Sequence, residues 1–149
     1  MIFKTILIGL GKIGFGYDKS TFYKLGDIRT HSKALIKHKN FKLVAGVDIN
    51  LKKRTEFSKI LNIQTFKKYS EAIIHCNPDF VIISSPTRDH YKCFCEIIKI
   101  SNPKMILFEK PVSYNYSDFL KIYSYSKKNN IKIFVNYFRV YDKGFFNLK

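Results

Sequence analysis

Three stretches of the chain hold residue types that can bind or react. In "LIGLGKIG", Gly9, Gly11 and Gly14 make a G-x-G-x-x-G run directly behind an apolar segment. The first glycine permits a tight turn, the second lets backbone N–H groups approach a pyrophosphate, and the third lets a helix pack close to its strand. A run of this kind also punctuates ordinary turns, so by itself it is a weak signal. In "IISSPTRDHYKC", Pro86 breaks an apolar run, Thr87 is placed to cap a following helix, and His90 falls in that helix's first turn. There it would face a crevice, or else serve as a capping or surface histidine. In "ILFEKPVS", an apolar run ends in Glu109, Lys110 and Pro111. A lysine ammonium is a compact cation with three donors, able to orient a ribose or polarise a substrate oxygen. The same residues would serve equally well as a polar turn.

The elements that must position these residues alternate along the chain. Short β-branched runs predict strands at 4–9, 42–48, 64–66, 80–85, 104–109 and 131–136. Amphipathic runs between them predict helices at 30–39, 51–61, 70–76, 88–100 and 116–129. That alternation is the pattern of a parallel sheet covered by helices on both faces. Asn50, Ser70 and Thr87 are expected to cap the second, third and fourth helices. Tyr91, Phe94, Ile97 and Ile98 recur at spacings of three and four, which predicts one buried face on the fourth helix. The irregular segment 15–29 lies between the glycine run and the first long helix, and long loops in compact domains are often functional.

The glycine run gains meaning from this arrangement, because it opens a strand–helix–strand unit whose second strand ends in Asp48. A carboxylate there accepts hydrogen bonds from adenosine ribose hydroxyls. Gly14 and Asp48 are 34 positions apart, against an interval of about 20 in the usual pattern, and the 15–29 insertion accounts for the excess. Asp48 would repel a ribose 2′-phosphate, which favours NAD over NADP. Lys52, Lys53 and Arg54 nearby keep NADP open, unless they are only a solvated helix face.

The chain has 149 residues, enough for one domain with a real core. Its apolar runs fall far short of the roughly 20 residues that cross a bilayer, so no membrane partner is expected. The N-terminus has neither a charged leader region nor a cleavage pattern and reads as mature structure. Cys76, Cys93 and Cys95 are odd in number and lack C-x-x-C spacing, which favours a reducing, cytoplasmic compartment over a disulfide framework or a metal site. The formal charge is +16. Lysine supplies most of it and is spread over every segment, with no arginine-rich or basic-aromatic block, so nucleic acid is not an expected partner.

Taken together and in order, "GLGKIG", "AGVD", "SSPTRDH", "FEKPV" and "VNYFRVYD" resemble the Gfo/Idh/MocA family, named for glucose-fructose oxidoreductase and inositol 2-dehydrogenase. The resemblance runs from the first strand to about Asp142. It implies a doubly wound α/β fold, a six-stranded parallel Rossmann sheet of order 3-2-1-4-5-6. It also implies that Gly9, Gly11, Lys12, Ile13 and Gly14 hold the pyrophosphate and that Asp48 takes the adenosine ribose. Ser85, Pro86, Thr87 and His90 would line the cofactor's path. Glu109 and Lys110 would sit at the nicotinamide ribose and substrate, with Lys110 the catalytic lysine and Lys110-Pro111 a cis peptide. Arg139 would match an arginine after the sixth strand; the second arginine common beside it is here Val140. The "THSKAL" segment behind the insertion looks like members associated with surface polysaccharides and nucleotide sugars.

Family members carry a second α/β domain after the sixth strand, which binds substrate and supplies a histidine and an aspartate for proton transfer. The expectation is a dinucleotide-binding domain over 1–142 with a tail at 143–149, the substrate domain being absent. Such a chain would bind NAD, or NADP, without full turnover on a sugar, cyclitol or nucleotide-sugar. It would act with a complementing domain or as a homo-oligomer. The competing reading is a non-enzymatic nucleotide-binding or interaction module.

Overall fold

The computed structural model describes residues 1–22 and 26–137. Six strands form one parallel sheet: β1 Phe3–Ile8, β2 Phe41–Val47, β3 Thr65–Phe66, β4 Phe80–Ile83, β5 Met105–Phe108 and β6 Lys132–Val135. Their order is β3-β2-β1-β4-β5-β6, as expected from the sequence. The helices are α1 His31–Lys37, α2 Leu51–Leu61, α3 Tyr69–Cys76, α4 Thr87–Ile100 and α5 Tyr116–Lys128.

Successive strand residues point to opposite faces, and here both faces are covered, so the central strands are apolar without alternation. Ile6, Ile8, Val81, Ile83, Ile106 and Phe108 pack with Ile73, Phe94, Ile97 and Ile122 of α3, α4 and α5. The intervening residues Leu7, Leu43, Phe80 and Ile82 pack with Leu35, Phe57 and the loop residues Phe15 and Phe22. Phe57 is fully buried and lies against Gly46 of β2, where a Cβ would stand only 2.7 Å from its ring. On α4, Phe94 and Ile97 are buried, while Tyr91 and Ile98 are half-buried at the margins of that face.

Element ends differ from the sequence reading in specific ways. Asn50 caps α2 as expected, accepting from the Lys53 N–H. Ser70 and Thr87 are not caps: α3 starts one residue before Ser70, and Thr87 is itself the first residue of α4, behind Pro86. The proline's fixed φ already sets the entry into α4, and its carbonyl accepts from the Asp89 N–H. Thr30, expected inside α1, is instead its cap. Strand β4 stops at Ile83 rather than 85; the Ser84 N–H makes the last bond to β1, at the Ile8 carbonyl, and its hydroxyl turns to the glycine turn.

The 15–29 insertion is spliced into the first helix. The His31 and Ser32 N–H groups donate to the carbonyls of Ile13 and Gly14, so α1 stacks on the glycine turn as though the insertion were not there. Gly16–Asp18 forms a short 3-10 turn. Its end, Asp18, is fully buried and accepts from the Arg29 N–H and the Thr30 hydroxyl at 2.9 and 2.8 Å. The buried Lys33 ammonium lies 3.9 Å from Asp18 and donates to the carbonyls of Thr21 and Asp27. Burial alone would raise the Asp18 pKa. The Thr30 and Arg29 hydrogen bonds and the Lys33 and Arg29 charges outweigh it and hold the carboxyl below its ordinary value of 3.8.

A folded-state pKa below the unfolded one gives stability that is present above the unfolded value and lost as pH falls through the folded one. Asp18→Asn is therefore expected to destabilise the chain by roughly 3 kcal/mol at neutral pH, as when a buried pair loses one partner. In urea titrations the gap between the variant and the unaltered chain should narrow as pH drops below the ordinary carboxylate value and through the lowered folded-state one. A pH-independent gap would show that the Asp18 charge is not what holds the insertion.

Candidate functional site

At the carboxyl ends of β1, β2 and β4 lies a cavity of about 810 Å³. Open α/β sheets bind ligands at this edge, where the strand order reverses between β1 and β4. Gly9 and Gly11 form its floor, Asp48 and Lys53 one side, and Ser85 and Pro86 another. Its outer rim carries Lys67, Lys68, Arg88 and Lys92.

The floor is shaped by two glycines whose backbones approach others too closely for side chains, and by a third that leaves room. Gly9 turns at φ +94°, and a Cβ there would lie 2.6 Å from the backbone of Ser84 and Ser85. A Cβ on Gly14 would collide with the Gly9 carbonyl. Gly11 differs, since a Cβ there would meet nothing within 4 Å. Its missing side chain leaves open space above the turn, the room a pyrophosphate needs. Ser84, which sequence reasoning passed over for its neighbour, holds the turn in place. Its hydroxyl donates to the Gly9 carbonyl at 2.7 Å, with the Ile8 carbonyl at 3.1 Å. The Ser85 hydroxyl is buried and has no hydrogen-bond partner among the described residues.

Asp48 is nearly buried at the end of β2. Its Oδ2 accepts from the Leu10 N–H and its Oδ1 from the Asn50 N–H, both at 2.9 Å. Oδ1 keeps a lone pair for a ligand hydroxyl, while Oδ2 also accepts from the Lys53 ammonium. The Lys53 ammonium lies 3.5 Å from Oδ2. Arg54 is turned to the carbonyls of Asp48 and Ile49, so its guanidinium is engaged with backbone, and Lys52 is exposed. Tyr69 and Cys93 also face the cavity. Burial, reinforced by neighbouring acidic groups that include Glu96, pushes both pKa values up, so both groups keep their protons.

His90 does not open onto the crevice as expected. It is fully buried, with Nδ1 3.2 Å from the Val112 carbonyl and Nε2 2.9 Å from the Ser85 carbonyl. The ring ties the β4–α4 turn to the segment behind Pro111, touching the cavity only through Ser85. Lys12 is exposed and Ile13 half-buried in the glycine turn, and neither lines the cavity wall; Thr87 sits at the head of α4. Arg139 lies outside the described residues.

Glu109 and Lys110 follow β5 on the same sheet edge, beyond the cavity wall. The Lys110-Pro111 peptide is cis and the Lys110 side chain is exposed. Glu109 Oε1 lies 2.6 Å from both His31 Nε2 and Asn136 Nδ2. Burial would raise the Glu109 pKa, but the hydrogen bonds from His31 and Asn136, the His31 charge and the Lys110 N–H hold it below the usual range. Sequence reasoning gave no role to His31 or Asn136, which lie 78 and 27 positions from Glu109. The available signals were the "THSKAL" segment resuming after the insertion, which holds His31, and the "VNYFRVYD" stretch, which holds Asn136. Among the described residues, no three His, Cys, Asp or Glu side chains converge to hold a metal ion, and no helix is long and apolar enough to cross a membrane.

Residues 3–137 match the family model GFO_IDH_MocA, described as an oxidoreductase family with an NAD-binding Rossmann fold. No curated protein sequence matches the chain significantly. Among solved structures, the fold is similar to a scyllo-inositol dehydrogenase from Lactobacillus casei with bound NAD(H) and scyllo-inositol. The TM-score is 0.79 at 18% identity, over 99% of this chain and 40% of that one. A probable dehydrogenase from Thermotoga maritima superposes with a TM-score of 0.77 at 24% identity, over 97% of this chain and 39% of the other. The WlbA dehydrogenase from Chromobacterium violaceum, in complex with NADH and UDP-GlcNAcA, gives 0.72 at 19% identity, over 90% and 34% of the two chains. The chain thus spans about 40% of the length of the inositol dehydrogenase.

The His90 geometry predicts a structural rather than ligand-contacting effect. His90→Phe keeps the ring volume but leaves the carbonyl that accepts from the imidazole N–H, Ser85 or Val112, without its donor, at a cost of about 2 kcal/mol. Chemical denaturation should register that loss; an unchanged midpoint would remove His90 from the support of the cavity wall.

Proposed function

From the premise that this chain belongs to the Gfo/Idh/MocA oxidoreductase family, we propose that it binds NAD(H) across the carboxyl edge of its sheet. In a full-length protein this domain would serve hydride transfer to or from a sugar, cyclitol or nucleotide-sugar. The observation that carries the reading is the cavity floor, where Gly11 leaves open space beneath a rim bearing the Asp48 carboxylate.

In this reading Gly9, Gly11, Lys12, Ile13 and Gly14 cradle the pyrophosphate, chiefly through backbone N–H groups. Asp48 accepts from the adenosine ribose diol. Its negative charge favours NAD, while Lys53 at 3.5 Å partly offsets that charge and leaves NADP admissible. The unpartnered Ser85 hydroxyl and Pro86 border the path toward the nicotinamide, with Thr87 behind them and His90 supporting Ser85. Glu109 and Lys110 serve the nicotinamide ribose and the substrate, Lys110 as the catalytic cation that orients a substrate hydroxyl or stabilises charge on its oxygen. Arg139 belongs to the same assignment through its place in the family motif. Bound nicotinamide would supply the hydride-exchanging carbon. A role in surface-polysaccharide or nucleotide-sugar metabolism, a cytoplasmic setting consistent with three free cysteines, and assembly with a complementing domain or a second copy belong to this proposal.

Calorimetric titration should show NADH binding, with NADPH weaker. Gly11→Ala should lower NADH affinity by about 10-fold, or 1.4 kcal/mol, while leaving the thermal midpoint unchanged, since its methyl group meets no protein atom. Absence of binding by either dinucleotide at millimolar concentration would refute the reading. Equal affinity of Gly11→Ala would move the pyrophosphate away from this turn.

A further inference from the structure

Glu109 is held by side chains that arrive from opposite ends of the chain. His31 begins α1, where the insertion returns to the fold, and Asn136 follows β6. Both reach the same oxygen, Oε1, at 2.6 Å. No described side chain hydrogen-bonds to Oε2; the Lys110 backbone N–H is the remaining donor near this carboxylate. All three groups are largely shielded; the His31 and Glu109 side chains are 11% and 16% exposed. Two donors on one oxygen fix both the rotamer and the plane of the carboxylate, which a single donor would leave free to swing.

From this geometry we infer that His31 and Asn136 are positioning residues: they hold Glu109 Oε1 so that Oε2 is presented to a hydroxyl of the nicotinamide-side ligand. This inference rests on the cofactor reading and deepens it. The carboxylate stays ionised and is therefore an acceptor only, which makes His31 Nε2 a donor and selects a hydroxyl-bearing ligand over a carbonyl or a phosphate. His31 is itself fixed from behind. Its N–H is bonded to the Ile13 carbonyl of the glycine turn, and Asp18 binds the two residues before it through the Arg29 N–H and the Thr30 hydroxyl. The insertion thereby links the pyrophosphate end of the crevice to the orientation of a carboxylate at its other end. A pre-oriented acceptor spends none of the binding free energy on freezing its own side chain, so its loss appears in affinity for the ligand half it touches.

The test compares two nucleotides on the same chain: NADH, which carries both halves, and ADP, which lacks the nicotinamide half. His31→Ala is expected to weaken NADH binding about 10-fold while leaving ADP affinity unchanged. His31→Gln, which can still donate to Oε1, should restore most of the loss. Glu109→Gln should reproduce it, and the double variant with His31→Ala should lose no more than either alone. Should His31→Ala fail to fold, Asn136→Ala carries the same comparison. The inference is overturned if His31→Ala binds NADH as tightly as the unaltered chain, or if NADH and ADP weaken together. If the unaltered chain binds neither nucleotide, the cofactor reading fails first. If it binds both equally tightly, only the assignment at Glu109 fails.

Discussion

The carboxyl edge of the sheet depends on one crossing, at Gly9. There the chain leaves β1 with φ +94° and passes so near the Ser84–Ser85 backbone that any side chain would overlap it. Three strands are joined through this point: the Gly9 N–H donates to Val47 of β2, the Ser84 hydroxyl beyond β4 donates back to Gly9, and the Leu10 N–H donates to Asp48. The cavity is the space left when these ends are drawn together around a turn without side chains. Asp48 contributes twice, closing the turn with two hydrogen bonds and presenting what remains of its carboxylate to the rim.

The insertion obeys a different constraint. Fifteen residues, 15–29, separate the glycine turn from the helix that stacks on it, and a polar lock sets the register of the return. A buried ion pair adds little net stability, because desolvation cancels most of its Coulomb gain. Asp18 is instead specific in geometry, since its Arg29 and Thr30 bonds and the nearby Lys33 ammonium are compatible with one path of the loop. Phe15 and Phe22 supply the apolar counterpart, with Phe15 edge-on to Phe57 at 5.1 Å. Phe15 and Phe22 are thereby part of the core, and the return point of the insertion delivers a histidine to the β5 edge.

The charge distribution fits this division of labour. Lys67, Lys68, Arg88 and Lys92 outnumber Asp89 and Glu96 along the cavity lining, so an anionic ligand would be attracted, while the carboxylates that could bind hydroxyls, Asp48 and Glu109, are shielded and held by N–H donors. Exposed lysines act at a distance and are screened by salt; shielded carboxylates act at contact and set orientation. The excess of lysine in composition therefore need not signal a polymer partner.

Sequence by itself determined the alternation of strands and helices, the glycine turn and the places of Asp48, Glu109 and Lys110 at strand ends, because these follow from local periodicity and from short motifs that the backbone must satisfy nearby; the order of the strands in the sheet came with the family resemblance those motifs carry. It missed what depends on atoms far apart in the chain. The caps assigned to Ser70 and Thr87 failed because a capping residue type is permissive: Pro86 had already set the entry to α4. His90 looked like a crevice residue from its position in the first helical turn, but only packing decides which way a ring points, and two backbone carbonyls claimed it. The Asp18–Thr30 lock, the Ser84 anchor and the His31–Glu109–Asn136 cluster left no pattern of spacing to read. Their partners are brought together by closure of the sheet, and only the tertiary structure decides which distant polar groups must share one desolvated site.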